Sequence, residues 1–62
     1  MLLKCVTDFI MEDGEISFSS GTVYDFFSVS DEWYTGEDDQ RTDHQMHVTH
    51  LLTNFVYIGD PI

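Results

Sequence analysis

Three histidines, His44, His47 and His50, follow one another at spacings of three, with Asp43 beside the first. On a helix that spacing brings successive imidazoles toward one face, and imidazoles are common zinc ligands. A zinc site needs four ligands, at least three of them from protein even where the metal is catalytic. On a strand His47 would point away from the other two, so no metal is assigned. Three imidazoles can also answer pH, since protonating all of them would bring the formal charge from −10 to about −7 near their ordinary pKa.

Nucleophilic chemistry has no frame to work in. Ser17, Ser19, Ser20, Ser28 and Ser30 fall in turns or strands without a G-x-S-x-G elbow around them. Cys5 is the only cysteine, set among apolar and β-branched neighbours, which suits a buried small hydrophobe and a reducing cytoplasm. The carboxylates Asp38 and Asp39 could exchange protons, but a chain of 62 residues has no room for a deep pocket to tune them. Glu37-Asp38-Asp39 also lacks the spaced ligands of a calcium loop. The expectation is a protein that is not an enzyme and carries no cofactor.

Charge is the dominant feature. Twelve acids face two bases, Lys4 and Arg41, for a net charge of −10. Such a balance repels nucleic acid and anionic membranes and steers the chain toward basic surfaces. The acids gather in three places: Glu12, Asp13 and Glu15; Asp31 and Glu32; and Glu37, Asp38, Asp39 and Asp43. Carboxylates two apart on a strand are separated by about 6.6 Å, comparable to repeated phosphates, so a fold that collected them on one rim could imitate DNA. Solvation of turns also explains charges there.

The elements that must position these groups read as strands. Leu2 to Phe9 mixes apolar and polar residues nearly alternately, and Glu12-Asp13-Gly14 is a turn leading into Glu15-Ile16-Ser17-Phe18, with Ile16 and Phe18 expected inward. Ser19-Ser20-Gly21 turns the chain into Thr22 to Val29, apolar on both faces: Val23, Phe27 and Val29 on one, Tyr24 and Phe26 on the other. One small sheet leaves one face uncovered, and Tyr24 and Phe26 are the residues assigned to self-association. Glu32 to Gly36 is a short strand and Glu37 to Arg41 an acidic loop. Thr42 to Val48 reads as a polar strand, Thr49 to Asn54 as one helical or 3₁₀ turn capped by Thr49, and Phe55 to Ile58 as a last strand before Gly59-Asp60-Pro61. The fold class is therefore mainly β: a single domain over residues 1–62, with five or six short antiparallel strands and one helical or 3₁₀ turn near the C-terminus. A domain this small buries only roughly 60% of its unfolded surface, and with no disulfide available a homodimer is the first support to expect. Met1 to Phe9 lacks the apolar core of a signal peptide.

Two resemblances add to this reading. Asp13 to Phe26 followed by Asp31-Glu32-Trp33-Tyr34-Thr35-Gly36 resembles the start and middle of an SH3-like barrel; Met46 to Leu52 does not supply the late proline-tyrosine segment of the peptide-binding SH3 domains, so their ligand is not carried over. The run Lys4-Cys5-Val6-Thr7-Asp8-Phe9, with Gly14, Ser17-Phe18, Gly21, Tyr24, Asp38-Asp39, His44, Leu51-Leu52 and Phe55, resembles short accessory proteins of tailed phages. That resemblance implies a protein of the host cytoplasm that binds and blocks a host or defence protein with a basic surface, with nucleic-acid mimicry as one form of the blocking. The residues assigned to the partner are Asp31, Glu32, Trp33, Tyr34, Glu37, Asp38, Asp39 and Asp43. The competing readings are a homo-oligomeric assembly module whose charge serves solubility, and an oligomer that sequesters a small molecule.

Overall fold

The computed structural model describes residues 1–61. In chain order the elements are β1 (Leu2–Cys5), β2 (Phe9–Ile10), β3 (Ile16–Phe18), β4 (Val23–Ser28), β5 (Trp33–Glu37), β6 (Asp43–His47), α1 (Val48–Asn54) and β7 (Phe55–Gly59). Five strands form one antiparallel sheet in the order β6-β5-β4-β1-β7, and β2 pairs with β3 in a separate hairpin. A first strand, an excursion through a hairpin, a three-strand meander, a helical turn and a last strand returning beside the first make a mainly β domain with one short helix near the C-terminus, as expected. β6 and β7 are the edges of the sheet, and β7 presents Val56, Tyr57 and Ile58 exposed, with no charged residue along its length.

Seven strands appear where five or six are expected because the run from Leu2 to Phe9 breaks in two. After Cys5 the backbone leaves the sheet: the amides of Val6 and Thr7 donate to the Asn54 carbonyl at 2.8 and 3.4 Å, and the Asn54 side chain donates to the Thr7 carbonyl at 3.1 Å. Asn54 thus ends α1 and turns the first strand into the hairpin. The helix is capped by His47 and not by Thr49: the imidazole Nδ1 accepts the Thr49 amide at 3.2 Å. An imidazole can serve at this position because its unprotonated nitrogen is an acceptor.

Leu3, Cys5, Phe18, Tyr24, Phe26, Met46, Leu51 and Phe55 form the core. Phe18 is fully buried, with ring centroids 4.8 Å from Tyr24 and 5.4 Å from both Phe26 and Phe55. Ile16 does not join it. The β2–β3 register runs Phe9 to Phe18 and then Ile10 to Ile16, leaving Ser17 as an extra residue. A bulge of this kind breaks the two-residue alternation, so Ser17 is turned inward and Ile16 lies exposed.

Tyr24 and Phe26 are also core residues, which corrects their assignment to self-association. Tyr24 pairs with Leu3, and Phe26 with Gly36, on the concave side of the sheet. The uncovered face carries Val23, Phe27 and Val29 instead. Gly36 is part of the reason Phe26 fits: a Cβ there would lie 2.8 Å from Cδ2 and Cε2 of the Phe26 ring.

Gly36→Ala should therefore cost about 1–3 kcal/mol through overpacking, read as a lower denaturant midpoint. Adding Phe26→Leu should cost less in this background than in the parent chain, because the smaller side chain makes room. Independent, additive losses would show that the two positions do not crowd one another.

Candidate functional site

Hydrogen bonds between the β2–β3 hairpin and the β5–β6 turn gather acids at one end of the barrel. The Asp39 amide donates to the Ser17 carbonyl at 2.8 Å. Its carboxylate accepts the hydroxyls of Tyr24 and Ser19, each at 2.5 Å. The Gln40 side-chain amide donates to the Glu15 carboxylate, and Asp8 accepts the Ser20 amide at 2.7 Å. Glu15 of the hairpin and Asp39 of the β5–β6 turn are so brought to the same end.

Not all of these carboxylates face a partner. Asp38 is buried: its Oδ1 accepts the amides of Gln40 and Thr42 at 2.9 and 3.0 Å, and its Oδ2 lies 3.6 Å from Nδ1 of His44. That carboxylate organises the turn in which Arg41 adopts a φ of 62°. Asp39 is tied to Tyr24 and Ser19. Asp38 is therefore withdrawn from any partner by burial, whereas Asp39 holds the fold while remaining exposed. Glu12, Glu37 and Asp43 are exposed.

Asp31, Glu32, Trp33 and Tyr34 lie elsewhere. β5 runs from Trp33, opposite His47, to Glu37, opposite Asp43, which separates the two groups by about 13 Å at roughly 3.3 Å per residue. The eight assigned residues therefore divide between two ends of the barrel. Trp33 is exposed on the convex side, edge-on to the His47 ring at 5.2 Å. Tyr34 points the other way and packs against the core.

At that second end an apolar groove of about 240 Å³ opens between α1 and the sheet, lined by Met1, Leu3, Tyr34, Val48, Leu51, Leu52, Phe55 and Tyr57. Leu52 at its mouth is 78% exposed, an unusual position for a leucine on a helix of seven residues. Of this lining only Tyr34 was among the residues expected to bind. The available signal was the pair Leu51-Leu52: a single helical turn against a small barrel can bury one of two adjacent leucines, and the other must lie outside.

The three histidines do separate work. His44 packs edge-on against Phe9 and Phe18, His50 packs against Phe9 from another side, and His47 caps α1 while its Nε2 lies 3.3 Å from Glu32. Among the described residues no group of three or more His, Cys, Asp and Glu side chains is placed to hold a metal ion. Ion pairing is sparse as well: the pairs join the Met1 amine to Asp25, His44 to Asp38 and His47 to Glu32, and among the described residues neither Lys4 nor Arg41 pairs with a carboxylate.

Burial pushes the Tyr24 phenol above its ordinary pKa of 10.0, and its bond to Asp39 adds to the effect. The Cys5 thiol is raised chiefly by burial. A phenol whose folded pKa exceeds its unfolded value keeps its proton in the folded chain while the unfolded chain loses its own. The associated stability is complete below about pH 10 and falls as pH rises toward the folded value.

Tyr24→Phe should cost about 1–2 kcal/mol at pH 7, since it leaves the Ser19 amide and an Asp39 oxygen without their partner. Denaturant titrations from pH 9 to 12 should show a shallower alkaline loss in the variant than in the parent. Equal slopes would mean that Tyr24 does not carry the alkaline sensitivity. Compared with models of protein families, with curated proteins and with solved structures, the chain finds no match.

Proposed function

We propose that this chain is a non-enzymatic inhibitor of the kind tailed phages encode, acting in the host cytoplasm by covering a basic surface of a host or anti-phage defence protein. The observation that carries the reading is the acidic end of the barrel. There the hydrogen bonds of Asp39 and Gln40 hold two acidic turns side by side, while Glu12, Glu37 and Asp43 remain exposed. Fixed carboxylates that outnumber the one basic side chain among them, Arg41, raise the rate of encounter with a basic surface and select against acidic ones. Blocking would be steric, and imitation of a phosphate row is one form it could take. A second reading is favoured by the exposed Val23, Phe27 and Val29 on the convex face: an assembly module that associates with itself and uses its charge for solubility.

The test uses the immobilised chain and the triple variant Glu12→Gln, Glu37→Gln, Asp43→Asn, none of which has a side-chain hydrogen bond among those described. A captured protein should be basic or act on nucleic acid, be released as salt rises from about 50 to 500 mM, and bind the variant about tenfold less tightly. Capture indifferent to both salt and the variant would sink the acidic-surface mechanism. Light scattering that finds a stable oligomer and no captured partner would favour the assembly module.

A further inference from the structure

We infer that the groove between α1 and the sheet receives one large apolar side chain from a lysine- or arginine-rich segment of the partner protein, a reading that rests on the proposed binding to a basic surface. Size is the first argument. At about 240 Å³ the groove falls below the roughly 300–1,000 Å³ of small-molecule sites, and it suits a single aromatic or branched side chain. Its floor is formed by the buried core residues Leu3, Leu51 and Phe55, whereas Leu52 and Tyr57 at the mouth are exposed. A preformed apolar pocket with an accessible rim is the usual seat of a binding hot spot.

Charge identifies the occupant. The lining contains no charged side chain, and the one cation beside it, the Met1 ammonium, is neutralised by its ion pair with Asp25 at 3.0 Å. The charge that remains at its rim is the Asp60 carboxylate, which accepts the Tyr57 hydroxyl at 3.2 Å, within a chain whose net charge is −10. The two basic side chains lie away from it. Lys4 is on the convex face, in register with Val23 and Val56, and Arg41 is in the β5–β6 turn at the other end. An apolar anchor flanked by cations meets both features. A second copy, carrying the same −10, and an anionic lipid surface would both be repelled.

The probe is a synthetic peptide of about twelve residues, lysine and serine with one central tryptophan. It is compared with the same peptide bearing serine at the centre and with one in which glutamate replaces lysine. The tryptophan peptide should bind about tenfold more tightly than the serine peptide and shift the methyl resonances of Val48, Leu51 and Leu52. Leu52→Gln and, separately, Tyr57→Thr should remove that advantage without lowering the melting temperature, since both side chains are exposed. Equal affinity of the two lysine peptides, shifts centred on Val23 and Phe27, or equally tight binding of the glutamate peptide would each overturn the inference, as would methyl shifts that change on dilution of the chain alone. Salt-sensitive binding of the serine peptide with no gain from tryptophan would overturn the groove and leave the acidic surface standing. Failure of both lysine peptides to bind overturns the groove, while the acidic surface is judged separately by the salt response of capture.

Discussion

Phe18 is the residue on which the barrel closes. Its ring meets Phe9 from β2, Tyr24 and Phe26 from β4, His44 from β6 and Phe55 from β7, so one side chain joins the hairpin to the inner side of the sheet. A chain of 62 residues has few such contacts to spare. Edge-to-face packing of aromatic rings adds a directional preference to simple burial. The bulge at Ser17 is what aims the hairpin correctly: it bends β3 so that Phe18 enters the core while Ile16 swings outward. Among the described residues the buried Ser17 hydroxyl has no hydrogen-bond partner, an unfavourable arrangement tolerated next to so large a hydrophobic contact.

The same packing organises the acidic end. Tyr24 places its ring against Phe18 and its hydroxyl on Asp39, which also holds Ser19. A core residue therefore reaches directly into the turn where the charges collect. Neutral hydroxyl and amide donors, and not lysine or arginine, satisfy the structural carboxylates Asp38 and Asp39. The acidic turns keep their conformation without having their charge neutralised, and the field they present to solvent is not spent inside the molecule.

Fold class was legible in the sequence because its signals are local. Gly14 and Gly21, both at positive φ, mark turns, and the alternation in Val23–Ser28 and the Phe55 strand is plain. What could not be read was direction across the sheet. Tyr24-Asp25-Phe26-Phe27 is apolar on both sides, and only pairing with Leu3 and Gly36 decides which side is inner. The Ser17 bulge had the same character, since it arises from register with Phe9 and Ile10. Of the candidate site, the hairpin and β5–β6 acids do share an end, as their turn positions suggested. Asp31 and Glu32 do not, because a five-residue strand lies between. The groove stayed hidden because its lining comes from β1, β5, α1 and β7 together with Met1, positions far apart in the chain.

β7 gives the charge a further meaning. An outer strand with free backbone groups, apolar side chains and no lysine or glutamate along it is an open template on which another strand can add. Many proteins guard such a strand with a local charge or a bulge, and here there is no charge but a bulge at Ile58, between the Leu3–Tyr57 and Leu2–Gly59 pairs. The net charge adds to that protection, since two copies each carrying −10 repel one another. In the proposed role, the acidity that attracts a basic partner also disfavours edge-to-edge association of like copies.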